Sequence, residues 1–124
     1  MREIHKTITL PLDGAEQTFR ITKLDAFSGA RVLRLLSGYT PEGGEIDLSA
    51  FFFSLSDADS RALMETCLSH VSALLPAGPI QVFSQDGGWG LPALEHDSFT
   101  ALRLTLETLS WTLEGFFPDA GQTS

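Results

Sequence analysis

Between Phe99 and Phe116 the apolar residues Phe99, Leu102, Leu106, Leu109, Leu113 and Phe116 recur at spacings of three, four, three, four and three. That heptad-like rhythm predicts one long helix from a cap at Asp97 or Ser98 to about Phe116. A second line on the same helix runs Leu104, Thr108, Trp111 and Gly115. A helix with apolar groups on two faces either lies at the centre of a core or packs once inside and once on another protein. Everything else in the chain has to fold around that choice.

The opposite end of the chain has the other periodicity. Ile4, Lys6, Ile8 and Leu10 alternate with His5, Thr7 and Thr9, and Gln17 to Thr22 alternates again with Phe19 and Ile21 on one face. Between them Pro11-Leu12-Asp13-Gly14 supplies turn chemistry, because Asp-Gly tolerates positive φ. The segment reads as a β-hairpin. An isolated hairpin is marginal in water, so it must pack on a helix, pair with a further strand or pair with a second chain.

Three shorter segments lie between these ends. A helix is expected from about Asp25 to Ser37, capped by Thr22 or Asp25 and stopped by Gly38, with Leu24, Phe27, Val32, Leu35 and Leu36 on its apolar face. Gly38 to Glu45, with three glycines and a proline, reads as a mobile loop. It lacks the lysine of a phosphate-binding loop, and its two glutamates oppose phosphate. Asp47 can cap one or two helical turns over Leu48 to Leu55, with a buried strand as the competing assignment. Phe51, Phe52 and Phe53 cannot all face one core from a helix, so at least one lies under a neighbouring element or is exposed for a partner.

The next helix is expected to open at Ser56 or Asp57 and to run to Leu75, stopping before Pro76. Met64, Leu68, Val71 and Leu75 would form its apolar face. Ile80 to Phe83 reads as a short strand, and Asp86 to Gly90 as a turn or loop that carries Trp89. In that glycine-rich setting Trp89 is either folded onto the core or an anchor for a partner.

The expected architecture is therefore α+β: a helix-dominated single domain over residues 1–117, with an N-terminal β-hairpin, a long C-terminal amphipathic helix and a flexible tail over 118–124. A length of 124 residues suits one domain and buries roughly two thirds of the unfolded surface. Apolar residues at 43% and charged residues at 19% argue against a disordered chain. No apolar run approaches the ~20 residues of a membrane span. The start, Met1 to Lys6, does not read as a signal peptide. The single cysteine, Cys67, excludes an internal disulfide framework and fits a reducing compartment.

Charge narrows the function classes. The net charge is −8, and the half from Leu63 to Ser124 carries six of those charges, with Arg103 its only Lys or Arg. Binding a nucleic-acid backbone needs clustered Lys and Arg, so DNA or RNA is not an expected partner. The excess serves solubility, or marks a protein that shields a basic or sticky partner or mimics a nucleic acid. Catalytic motifs are absent from the sequence. Cys67 and His70 would share a helix face, but a zinc site needs about four ligands and no second such pair exists. A mid-helix cysteine among Leu63, Leu68 and Val71 reads as a small buried hydrophobe. Glu95-His96-Asp97 reads as the start of a helix, and Asp57 and Asp59 as capping. No enzyme, cofactor or metal is expected.

The order of elements, the entry Ile21-Thr22-Lys23-Leu24-Asp25-Ala26 into the first helix and the stretch Phe99 to Phe117 resemble the small tail assembly chaperones of long-tailed bacteriophages and prophages. In that family the last helix commonly ends in a sequence such as Asn-Phe-x-x-Phe-Phe. Here Trp111-Thr112-Leu113-Glu114-Gly115-Phe116-Phe117 stands there, without the asparagine. The likeness covers most of the chain and is one of layout. It implies a non-enzymatic chaperone that coats the tape-measure protein until tail-tube subunits replace it. The setting it implies is the cytoplasm of the bacterial host, with the protein absent from the mature virion. In many such phages a longer version arises by ribosomal frameshifting. Candidate docking residues are Phe51, Phe52, Phe53, Trp89, Leu104 and Trp111, and a homo-oligomer is compatible with the hairpin edge and the two-faced helix. The alternatives are an acidic phage-encoded inhibitor that mimics nucleic acid, and a minor structural tail component such as a terminator or connector.

Overall fold

The computed structural model describes residues 4–39 and 47–114. The fold is α+β, with helix outweighing strand among the described residues. Strands β1 (His5–Leu12) and β2 (Ala15–Thr22) form the expected hairpin, in register from Leu12 opposite Ala15 to His5 opposite Thr22. The turn contracts to Asp13-Gly14, both at positive φ (54° and 84°), the two-residue geometry that matches strand twist. Strand β1 continues through Pro11 because it is an edge strand, where a missing N–H breaks no ladder. Leu10, Leu12, Phe19 and Ile21 are buried on one face, as the alternation predicts.

Helix α1 (Ala26–Ser37) is capped by Asp25, whose carboxylate accepts from the N–H groups of Phe27 and Ser28; Gly38 ends it. Its buried residues are Val32 and Leu36. Phe27, expected on the apolar face, is instead 90% exposed. It precedes Val32 by five residues, which places it about 140° round the helix from the buried stripe. Asp47 caps α2 (Leu48–Phe53), so the phenylalanine block is helical and the strand assignment falls. Ser56 caps α3 (Asp57–Leu68).

The largest correction lies after α3. The helix expected to reach Leu75 stops at Leu68, and β3 (Val71–Leu75) pairs antiparallel with β2, Ile21 opposite Val71 and Phe19 opposite Ala73. Val71 and Leu75 fit the helical spacing, but Val71 and Ala73 also fit a strand with one buried face. The free edge of β2 decided the outcome. Pairing supplies its backbone with partners, including the Thr22 N–H to the His70 carbonyl at 3.0 Å, and it closes the hairpin's apolar face.

Pro76-Ala77 turns β3 into β4 (Gly78–Gln81), completing a sheet in the order β1-β2-β3-β4. The strand expected over Ile80 to Phe83 is split at the fully buried Val82. After it come β5 (Phe83–Ser84) and β6 (Gly88–Trp89), a two-stranded pair. A Cβ at Gly90 would collide with the Gln81 carbonyl oxygen, so the chain crosses there only as glycine. A single 3₁₀ turn (Pro92–Leu94) leads to α4 (Ser98–Leu113), capped by Asp97.

Helix α4 takes the central position, packing on α3 and α2 as well as β1 and β2. One core lies on its sheet side, with Phe19, Ile21, Val71, Ala73, Val82, Leu94, Ala101 and Leu104. The other lies among the helices, with Val32, Leu36, Phe51, Phe52, Leu63, Cys67, Leu109 and Leu113. Thr105 and Thr108 are fully buried yet satisfied, donating back to the carbonyls of Ala101 and Leu104 at 2.9 and 2.8 Å. Helix α4 ends at Leu113, where Glu114 takes extended backbone, so it stops short of the expected end at about Phe116; the expected end of the domain at residue 117 and the tail over 118–124 lie outside the described residues. So does most of the expected loop from Gly38 to Glu45.

Candidate functional site

The residues that suggested chemistry have structural roles. Cys67 is buried in the helical core, and burial pushes its thiol pKa far up, so the thiolate that a nucleophile needs is suppressed. His70 does not share a helix face with it. It sits past the end of α3, with Nδ1 2.8 Å from the Thr66 carbonyl and Nε2 3.5 Å from Asp25 Oδ1. Asp97 caps α4, and Ser56, not Asp57, caps α3. Hydrogen bonds from Ser28, then from the Phe27 N–H, hold the Asp25 carboxyl below its ordinary pKa, with a smaller contribution from His70. Asp47 is held below its own by the Ser49 hydroxyl and the Ala50 and Ser49 N–H groups. Among the described residues, no three His, Cys, Asp or Glu side chains group so as to hold a metal ion.

The six candidate docking residues separate into three kinds. Leu104 and Phe51 are fully buried, so they are core and offer no free surface. Leu104 faces the sheet because the second apolar line of α4 is the one the hairpin covers. Trp111 is half-buried and tied down. Its Nε1 donates to the Ile4 carbonyl at 3.0 Å, and Lys23 and Lys6 stand 4.6 and 5.6 Å from its ring centroid. It fastens the start of β1 to α4. Phe53 and Trp89 are the ones that reach a surface, while Phe52 is buried in the helical core and only borders a groove. Phe53 is 69% exposed, Phe52 packs edge-on against it at 5.5 Å, and Trp89 stands half-buried, edge-on to Phe83 at 5.0 Å.

Phe52 and Trp89 meet in one groove, although they are far apart in sequence. Its walls are Phe52 from α2, Met64 from α3, Trp89 from β6, Leu94 from the 3₁₀ turn, and Ala101 and Leu102 from α4. Its volume is about 250 Å³, room for one or two large side chains. Glu95, Asp97 and Ser98 form its polar margin, and no Lys or Arg lines it. The groove runs along the seam between the two cores: Phe52 and Leu102 belong to the helical side, Trp89, Leu94 and Ala101 to the sheet side, and Met64 packs against both. Met64 suits such a place, because its thioether adapts to an irregular occupant.

Two exposed rings were missed by the sequence reading. Phe99 is 89% exposed at the first turn of α4, next to Ser98 of the groove, although it opens the heptad line. Phe27 stands on α1 with Ala30, Arg31, Arg34 and Leu35 around a second depression, of about 520 Å³, that Asp59 of α3 also lines. A helical wheel centred on Val32 and Leu36 would have found Phe27. Nothing in the sequence marks Phe99.

Comparison with protein-family models, curated proteins and solved structures finds no match for this chain. Among the described residues no helix is long and apolar enough to cross a membrane.

Proposed function

We propose that the chain is a non-enzymatic tail assembly chaperone of a long-tailed phage or prophage, acting in the cytoplasm of the bacterial host and absent from the mature virion. Its client in this reading is the tape-measure protein, a long helical chain with an apolar seam, held soluble until tail-tube subunits replace the chaperone. The observation that carries the reading is an apolar surface on a strongly acidic domain. Phe53 and Phe99, sequence neighbours of the groove residues Phe52 and Ser98, stand exposed on a chain of net charge −8. Exposed rings supply adhesion to an apolar seam, and the surrounding negative charge keeps the complex dispersed. Isolated rings rather than a continuous dry interface suit binding that has to be reversed.

The test is co-expression with the tape-measure protein of the same phage. The expected result is a tape-measure chain that stays in the soluble fraction and co-purifies with this one, with recovery falling when Phe53 and Phe99 are both changed to Ser. A tape-measure protein that precipitates equally with and without the chain removes the reading. Detection of the chain in purified virions would instead assign it to the tail structure.

A further inference from the structure

We infer that the groove holds a basic amphipathic helix of a partner protein. One large apolar side chain of that helix enters between Phe52, Met64, Trp89 and Leu102, and a Lys or Arg one turn away on it faces Glu95 and Asp13. The inference rests on the chaperone reading for the client's identity, and it says which kind of client segment is held.

The occupant's shape follows from the walls. An extended peptide gains affinity from main-chain hydrogen bonds to a free strand edge. The groove instead offers side chains of α2, α3, α4 and the 3₁₀ turn, and its one strand, β6, is two residues long and already paired with β5. Recognition by side chains in a groove is the mode in which a helix inserts anchors from one face. A volume of about 250 Å³ limits the anchors to one or two, and the Met64 thioether adapts to Leu, Met or Phe.

The occupant's charge follows from the margin. At Asp97 and Ser98 the groove adjoins a further depression of about 520 Å³, which Asp13, Ala93, His96 and Phe99 also line. No Lys or Arg lines either one. The Asp97 carboxylate is engaged: Oδ1 accepts from the Thr100 N–H at 3.0 Å and Oδ2 from the Thr100 hydroxyl at 2.9 Å, so its charge offsets the positive end of α4. Glu95 and Asp13 are exposed and form no ion pair among the described residues, whereas Glu65 and Glu107 are paired with Arg61 and Arg103. Two unpaired carboxylates beside an apolar slot attract a cation next to an apolar anchor and repel an anchor flanked by acids.

Labelled peptides of about four helical turns, free of tryptophan, test this by fluorescence anisotropy. One carries Leu at i, i+3, i+4 and i+7 with Lys beside them; a second has Glu for each Lys; a third has Ala for each Leu. The Lys–Leu peptide should bind the wild type, and the other two should bind about tenfold more weakly or worse. Glu95→Lys should weaken the Lys–Leu peptide roughly fivefold, through one exposed attraction lost and a repulsion gained. Glu114→Lys makes the same charge change at the far end of α4 and should alter binding by less than about twofold. Unlabelled peptide should shift the tryptophan emission to shorter wavelength, and the shift should vanish in Trp89→Phe. Circular dichroism checks that each variant is folded, and the comparison of the three peptides on the wild type needs no variant. A Lys–Leu peptide that fails to bind overturns the inference, as does equal binding of the Glu peptide. So does a Glu114→Lys effect as large as that of Glu95→Lys, or an emission shift that persists in Trp89→Phe and therefore belongs to Trp111. Co-expression with the tape-measure protein separates the two readings. A client kept soluble by Glu95→Lys as well as by the wild type overturns this inference alone. A client that precipitates with the wild type removes the chaperone reading.

Discussion

The two cores that share α4 are built differently, and the helical side leaves its apolar side chains more exposed: Phe27 and Phe53 at 90% and 69%, against Ile4 and Ile80 at 51% and 37% on the sheet side. On the sheet side, strand alternation sends Leu10, Leu12, Phe19, Ile21, Val71 and Ala73 to one face, and α4 covers that face. On the helical side, α1, α2 and α3 are only 12, 6 and 12 residues long, and each buries a stripe on one face. Apolar residues outside that stripe have nowhere to go: Phe27 and Phe53 emerge there as exposed rings. A period of two divides a strand cleanly into inside and outside. A period of 3.6 does not, and a short helix rich in phenylalanine must show some of it to solvent or to a partner. The groove forms where these two kinds of packing meet.

The largest effects should come from the centres of the two cores. Phe19→Ala on the sheet side and Phe51→Ala on the helical side each remove a fully buried ring, at about 3–5 kcal/mol. Against a total of roughly 5–15 kcal/mol, either loss threatens folding. Because α4 is common to both cores, both variants should lower a single urea transition seen identically by fluorescence and circular dichroism. Two separate transitions would show that the cores are independent units.

Next in size is Gly90→Ala. The added methyl meets the Gln81 carbonyl, a backbone atom that cannot rotate away, so a loss of about 1–3 kcal/mol is expected on the sheet side. Calorimetry should show a lower Tm. An unchanged Tm would mean that the crossing of β4 and β6 has slack.

Removing the α1 cap with Asp25→Ala should cost about 1 kcal/mol, read from the urea midpoint. The same site predicts a pH effect. Hydrogen bonds lower the native pKa of Asp25 below its ordinary value of 3.8, so the stabilisation is complete above that value. It is lost as the pH falls through the lowered native pKa. The wild type should therefore lose more stability on acidification than Asp25→Ala does. The mildest change is Phe53→Ala, within about 0.5 kcal/mol of wild type. Phe51 and Phe53 are two residues apart on one short helix, so this pair is the sharpest test of which ring is core and which is surface.

Much of the architecture was legible because local patterns and tertiary needs agreed. The hairpin, its Asp13-Gly14 turn, the caps at Asp47 and Ser56 and the start of α4 follow from alternation, turn chemistry and capping oxygens, all short-range effects. Legibility failed where two periods fitted the same residues. Val71 to Leu75 satisfies a helix and a strand, and the unpaired edge of β2, some fifty residues earlier, broke the tie. The candidate surface was legible only in part. That the three phenylalanines cannot all face one core followed from helix geometry, but that Phe53 is the exposed ring, and not one covered by a neighbouring element, depended on what packs above α2. Trp89 was ambiguous for the same reason, and it proves to be a wall of the groove.

By itself the sequence determined the element types with one clear period, the places where caps and glycines end them, the negative charge and the lack of a catalytic motif. Each depends on neighbours within a few residues. Tertiary structure alone decided that α4 is central, that its Leu104 line is buried by the hairpin while Phe99 is left outside, and that residues 52, 64, 89 and 102 share one groove. Those outcomes depend on which face another element covers, and a chain's local periodicity says which residues share a face without saying what will lie against it.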